Sequence, residues 1–191
     1  VNHFWLDEYH IDGFRFDFTK GFSNNSNNYD DDRIDLLKRM ADTIWSVHPN
    51  SYVILEHWAA NNEEKILANY GMMLWGNVTH GYQESAMGFP ANSNLVGGVY
   101  KYRLWNDPHL ISYMESHDEE RIMYKNITYG NTNGSQNAKN PIKALERTEG
   151  LAVLMLTTPG PKMIWQFGEM GYDISIDYPC RICNKPILWN Y

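Results

Sequence analysis

The chain has 191 residues, with 23 acidic and 16 basic side chains, a formal net charge of -7, and 14% aromatic residues, among them seven Trp and thirteen Tyr. That length can bury a sizeable core, and nothing in it marks a second domain. The negative balance argues against nucleic acid or an anionic membrane as partner, since both need basic surface, and no apolar run reaches the ~18 residues of a membrane span.

In chain order, residues 1–10 (VNHFWLDEYH) place apolar side chains at 1, 4, 5 and 6 with Tyr9 one turn on, which predicts a helix. The run Asp12-Gly13-Phe14-Arg15-Phe16-Asp17 then predicts a strand. Its alternation sets Arg15 and Asp17 on one face, ~7 Å apart, with Phe14, Phe16 and Phe18 directed to the other, toward a helix layer. An arginine beside an aspartate keeps that carboxylate ionised, as a carboxylate nucleophile requires. On this run alone, a structural ion pair at a strand end reads equally well.

Residues 30–48 form an amphipathic helix, with Ile34, Leu37, Met40, Ala41, Ile44 and Trp45 on one side and Pro49 as its stop. Its acidic start, Asp30-Asp31-Asp32, suits the helix dipole better than a cation. Tyr52-Val53-Ile54-Leu55 is an apolar strand that ends abruptly on Glu56, followed by His57 and Trp58. A short helix over residues 63–69 and a strand over 71–75 follow, with Met72 and Met73 as core. Residues 77–109 lack clear periodicity and read as a long loop shaping a cleft, or as a helix without a stripe.

Residues 110–118 repeat the strand pattern and end on His117-Asp118. Residues 124–140, rich in Asn, Gly and Ser, read as a mobile surface loop. Asn140-Pro141 opens a helix to about residue 156, its apolar side formed by Ile142, Leu145, Leu151, Ala152 and Met155. Beyond Glu169 periodicity is lost. Cys180 and Cys183 have no second pair and no redox setting, leaving two free thiols or one short-loop disulfide. Asn126-Ile127-Thr128 and Asn133-Gly134-Ser135 are glycosylation triplets only in a secretory context. The remaining histidines, His3, His10, His48, His80 and His109, show no metal-ligand spacing, so no metal residues are assigned.

Three apolar strands that each finish on ionisable residues suit a parallel α/β barrel, whose chemistry collects at the carboxyl ends of its strands. At these residues the chain resembles the α-amylase family of glycoside hydrolases. Gly13-Phe14-Arg15-Phe16-Asp17, then Ile54-Leu55-Glu56, then Ser116-His117-Asp118 are similar to three of its strand ends in the same order. Residues 159–169 (PGPKMIWQFGE) resemble its last strand and the Gly-Glu after it.

The resemblance implies a partial (β/α)8 TIM barrel, strands four to eight with their helices, in one catalytic domain over residues 1–191. It implies a retaining double displacement on α-1,4-glucosidic bonds of starch, glycogen or malto-oligosaccharides. Asp17 would be the nucleophile, Glu56 the general acid/base and Asp118 the third carboxylate, with Arg15, His117, Lys20 and Trp58 binding substrate. Two carboxyl groups ~5 Å apart with separated pKa values would serve, Glu56 being the raised one. Gly21 stands where many relatives carry a histidine, and Ser116 replaces an asparagine of chloride-binding amylases, which argues against chloride.

An α-glucan is the implied partner. No cofactor is required in this segment, calcium being a matter for a parent enzyme whose first strands and β-domain the chain lacks. As a half barrel it would be impaired alone and could self-associate over its exposed edges. Branching or other transglycosylation and a non-catalytic glycan-binding scaffold are the alternatives. An extracellular or periplasmic setting is favoured weakly over a cytoplasmic one.

Overall fold

The protein is described by a computed structural model covering residues 1–25, 27–135 and 137–191. It folds as two compact units, Val1–Gly76 with Val99–Ile111, and Asn77–Gly98 with Ser112–Tyr191.

The first unit alternates helix and strand: α1 (Asn2–Tyr9), β1 (Gly13–Phe16), α2 (Asp31–Trp45), β2 (Tyr52–Leu55), α3 (Asn61–Tyr70), β3 (Met73–Gly76) and the start of β4 (Leu110–Ser112). The strands form one sheet in the order β1-β2-β3-β4, and β1 pairs parallel to β2, as β2 does to β3. Parallel neighbours joined by helices are the α/β pattern that the strand ends had predicted. On β2, Val53 and Leu55 are buried. They join Ile34, Leu37, Ala41 and Ile44 of α2, Leu67 and Ala68 of α3, and Leu74 of β3 in a single core.

Phe14 and Phe16 pack on this core as expected. Phe18 does not: β1 ends at Phe16, and Phe18 turns out in a left-handed conformation, φ 44°, with its side chain exposed. The glycine that opens β1 has a steric cause, because a Cβ on Gly13 would lie 2.6 Å from the backbone nitrogen of Tyr52. α2 starts where the acidic triplet predicted, with the Asp30 carboxylate accepting the backbone N–H of Asp32 and Arg33.

In the second unit the helices are α4 (Thr79–Met87), α5 (Ile122–Tyr129) and α6 (Pro141–Thr157). Tyr82, Ala86, Ile122 and Met155 form their shared core. α4 occupies the stretch without periodicity, since it buries Thr79, Gly81, Tyr82, Gln83, Ala86 and Met87 and so shows no single apolar stripe. α5 corrects the expected surface loop over its first part: residues 124–129 are helical, with Asn126 fully buried, so that glycosylation triplet is closed to modification.

α6 starts as expected, Asn140 capping it and Pro141 at its first position. Its apolar side is only partly covered: Leu151 packs on the core, but Ile142 and Leu145 are exposed. The expected last strand reduces to one bridge, Lys162 to Ser112. Pro159 and Pro161 lack the N–H that a longer ladder needs. The tail is irregular, with a Cys180–Cys183 disulfide and Lys185 Nζ donating to the carbonyls of Tyr178 (2.9 Å) and Cys180 (2.7 Å). No helix among the described residues is long and apolar enough to cross a membrane.

Candidate active site

The register of β1 and β2 sets the position of two of the expected carboxylates. Phe16 is paired with Leu55, so the next residues on the two strands, Asp17 and Glu56, emerge side by side, one ~4.8 Å strand spacing apart. Their carboxylate oxygens approach within 4.8 Å. Arg15 reaches both acids. Its Nη1 donates to Asp17 Oδ1 at 2.5 Å and its Nη2 to Glu56 Oε1, while the guanidinium lies over the Trp75 ring, 4.2 Å from its centroid. The sequence paired Arg15 with Asp17 and missed its second hand on Glu56.

The two acids differ in surroundings. Asp17 has 71% of its side chain exposed, whereas that of Glu56 is 3% exposed. Burial pushes the Glu56 carboxyl above its ordinary range, against the pull of the Phe18 N–H and Arg15, with the neighbouring Asp17 adding to the rise. That is the direction a proton donor beside an open carboxylate needs. The Phe18 N–H donates to Glu56 Oε2 at 2.9 Å, which the left-handed turn at Phe18 makes geometrically available. Lys20 and Trp58 adjoin on the same rim, Lys20 Nζ donating to the Trp58 carbonyl at 3.5 Å. Trp58 also takes a positive φ of 52°.

Beneath these residues lies a charged network. Arg33, fully buried on α2, makes a bidentate pair with Glu63 of α3, Nε to Oε1 at 2.7 Å and Nη2 to Oε2 at 2.8 Å. Its Nη1 also donates to the carbonyl of Lys20 at 2.9 Å. Glu63 Oε1 meets His57 Nε2 at 2.7 Å, and His57 Nδ1 meets the Thr19 hydroxyl at 2.9 Å. Burial pushes Glu63 up, but the Arg33 and His57 hydrogen bonds overcome it and hold the carboxyl below its usual range. Burial likewise keeps His57 below the ordinary histidine value.

The adjacent Glu64 accepts from Arg103 Nη1 at 2.6 Å, and burial pushes it up to about 7. Arg33, Glu63 and Glu64 escaped the sequence reading. Their signal was positional, since Arg33 lies one turn ahead of Leu37 on an apolar stripe and Glu63 and Glu64 one turn ahead of Leu67 and Ala68.

The second unit carries the other two predicted residues. His117 Nε2 lies 3.3 Å from Asp118 Oδ2, and the His117 ring is 5.9 Å from that of Trp165. The Asp118 carbonyl accepts from Arg181 Nη2 at 2.6 Å, while Asp118 N–H donates to Ser116 Oγ at 3.3 Å. Glu115, just before them, is buried and pushed up by that burial, accepting the Ile122 N–H at 2.7 Å. Arg15, Asp17, Lys20, Glu56 and Trp58 thus gather in the first unit, and His117 stands beside Asp118 in the second.

No protein-family model and no curated protein sequence matches the chain. Solved structures do. The chain is similar to Amy13B of Eubacterium rectale, at TM-score 0.66 and 22% identity over 89% of this chain and 32% of that one. It is also similar to an α-amylase from H. orenii, at TM-score 0.62 and 18% identity over 88% of this chain and 32% of that one. A pullulanase from Anoxybacillus sp. LM18-11, solved with maltotetraose, matches at TM-score 0.63 and 18% identity over 91% of this chain and 27% of that one. The chain therefore spans about a third of the length of these structures and has the fold of part of an amylase-type (β/α) barrel.

Proposed function

We propose that this chain is a segment of an α-amylase-family glycoside hydrolase that cleaves α-1,4-glucosidic bonds with retention of configuration. The observation that carries the reading is the Asp17–Glu56 pair: two carboxylates within 4.8 Å, the open one beside Arg15, the buried one pushed up in pKa. Oxygens of two acids lying this close support the retaining class, in which carboxyl groups ~5 Å apart leave no room for a water between them and one attacks directly.

In this mechanism Asp17 attacks the anomeric carbon while Glu56 passes its proton to the departing glycosidic oxygen. Glu56, now ionised, then takes a proton from the water that releases the sugar from Asp17. Arg15 orients both acids, and Lys20 and Trp58 bind the chain of sugars beside them. Asp118 and His117 are assigned to the hydroxyls of the cleaved sugar. The maltotetraose in the related pullulanase fits an α-glucan as the ligand class.

The test is made on the chain and on any longer polypeptide that carries it, with maltoheptaose as substrate. NMR of the first products is expected to show the α-anomer, and mass spectrometry of a 2-fluoroglycoside-treated sample a sugar on Asp17. Glu56→Gln is expected to lower kcat by ~10²–10⁴-fold. Inverted product, or a Glu56→Gln variant with full activity, would sink the mechanism. New α-1,6 branches would instead favour transfer to a sugar hydroxyl, and tight binding without turnover a glycan-binding scaffold.

A further inference from the structure

Resting on the reading of Glu56 as the proton donor, we propose that Arg33, Glu63, His57 and Thr19 form a positioning relay that holds the turn after Asp17 and the turn after Glu56 in one hydrogen-bonded register.

The protons can be assigned along it. Glu63, ionised against Arg33, can only accept, so His57 must donate to it from Nε2. The imidazole is buried and kept neutral, which leaves Nδ1 a bare acceptor for the Thr19 hydroxyl at 2.9 Å. The Glu56 carbonyl accepts the Thr19 N–H at 2.8 Å; the Thr19 hydroxyl, 3.2 Å from the same carbonyl and 2.9 Å from Nδ1, gives its one proton to the nearer, bare nitrogen. Phe18, one residue earlier, gives its N–H to the Glu56 carboxylate. His57 is the residue after Glu56, and Thr19 follows two residues after Asp17. The relay therefore ties the turn that leaves β1 to the turn that leaves β2, at the point where each releases its carboxylate. Arg33 closes the far end by also holding the Lys20 carbonyl. The charged groups bearing on His57 are Glu63, Arg33 and Lys20, so the ring sits between one negative and two positive neighbours and has a fixed partner on each nitrogen.

The relay differs from a merely stabilising cluster in what it does to Glu56. Loosening Thr19 lets the Phe18 N–H drift from a carboxylate it favours in the charged form, which raises the Glu56 titration midpoint. The experiment is NMR on the full chain, carbon-labelled at glutamate side chains and nitrogen-labelled at histidine. His57 is expected to keep its proton on Nε2 and to be neutral at about pH 7 and above, its pKa being lowered by burial. In Thr19→Val the Glu56 midpoint is expected to rise by ~0.5–1 pH unit, and in Thr19→Ser, which restores the hydroxyl, to return to the wild-type value.

Where activity is measurable, Thr19→Val should lower kcat about tenfold with KM within about twofold, again rescued by serine. A proton on Nδ1 of His57, or a Glu56 midpoint identical in the valine and wild-type chains, overturns the relay. The nitrogen spectrum of the unsubstituted chain decides the tautomer even if the valine variant fails to fold. Should Glu56→Gln prove fully active, the enzymatic reading fails, while the tautomer and the serine rescue still report on the relay.

Discussion

Replacing Glu64 by glutamine should make the stability of this protein less sensitive to pH, in a direction fixed by the sign of its shift. Glu64 is buried at the start of α3, against Arg103 and the backbone N–H groups of Trp58 and Ala59, and burial outweighs these partners. Its carboxyl is raised from 4.5 to about 7, an interval that corresponds to about 3 kcal/mol at roughly 1.4 kcal/mol per decade of proton affinity.

Because the folded state holds this proton more tightly than the unfolded chain, the associated stability is fully present below 4.5. It is lost as pH rises toward 7 and is absent above it. Glutamine keeps the acceptor oxygen for Arg103 and carries no charge, so the variant avoids this loss. The assay is urea unfolding followed by tryptophan fluorescence across that pH range. The difference between variant and wild type should move in favour of the variant by about 3 kcal/mol from acid to neutral pH and then level off. Parallel curves, agreeing within about 0.5 kcal/mol at every pH, would refute the attribution to Glu64.

Two further expectations concern the same unit. Arg33→Met leaves Glu63 buried without its bidentate partner and should cost ~3–5 kcal/mol in urea unfolding, whereas Arg33→Met combined with Glu63→Leu should recover most of that loss; additive losses would contradict a buried pair. Gly13→Ala pushes a methyl group onto the Tyr52 backbone and should cost ~2 kcal/mol or more by thermal melting, so a variant as stable as wild type would mean that β1 and β2 are not in this register.

Two strands were legible where apolar runs ended on charge: Asp17 and Glu56 leave β1 and β2 as the sequence suggested, because buried parallel strands read as continuous apolar runs with their polar groups at the ends. The third expectation is corrected, since β4 stops at Ser112 and His117-Asp118 follow it in irregular chain rather than closing the strand. α2 was legible from the Asp30 cap and its stripe. α4 was not, being buried on several sides, and α5 was hidden by the Asn- and Gly-rich composition that follows it. In the site, the Arg15–Asp17 pair followed from alternation along one strand. The bond from Arg15 to Glu56 depends on the pairing of two strands, which no local pattern encodes. Lys20 and Trp58 share a rim only because two turns meet, and the Arg33–Glu63–His57–Thr19 network is a product of α2 and α3 docking on those turns.

The consecutive glutamates at the start of α3 have a mechanical consequence. Successive residues on a helix point about 100° apart, yet Glu63 is bound to Arg33 and His57, and Glu64 to Arg103. Two anchors in different directions at one helical turn act like a key with two teeth. α3 can neither rotate about its axis nor slide by one residue without drawing at least one carboxylate out of its socket. A helix locked in this way sets a fixed datum for the loop of residues 56–60, so sequence drift on the outer face of α3 can proceed freely while the angle at which Trp58 is presented stays constant.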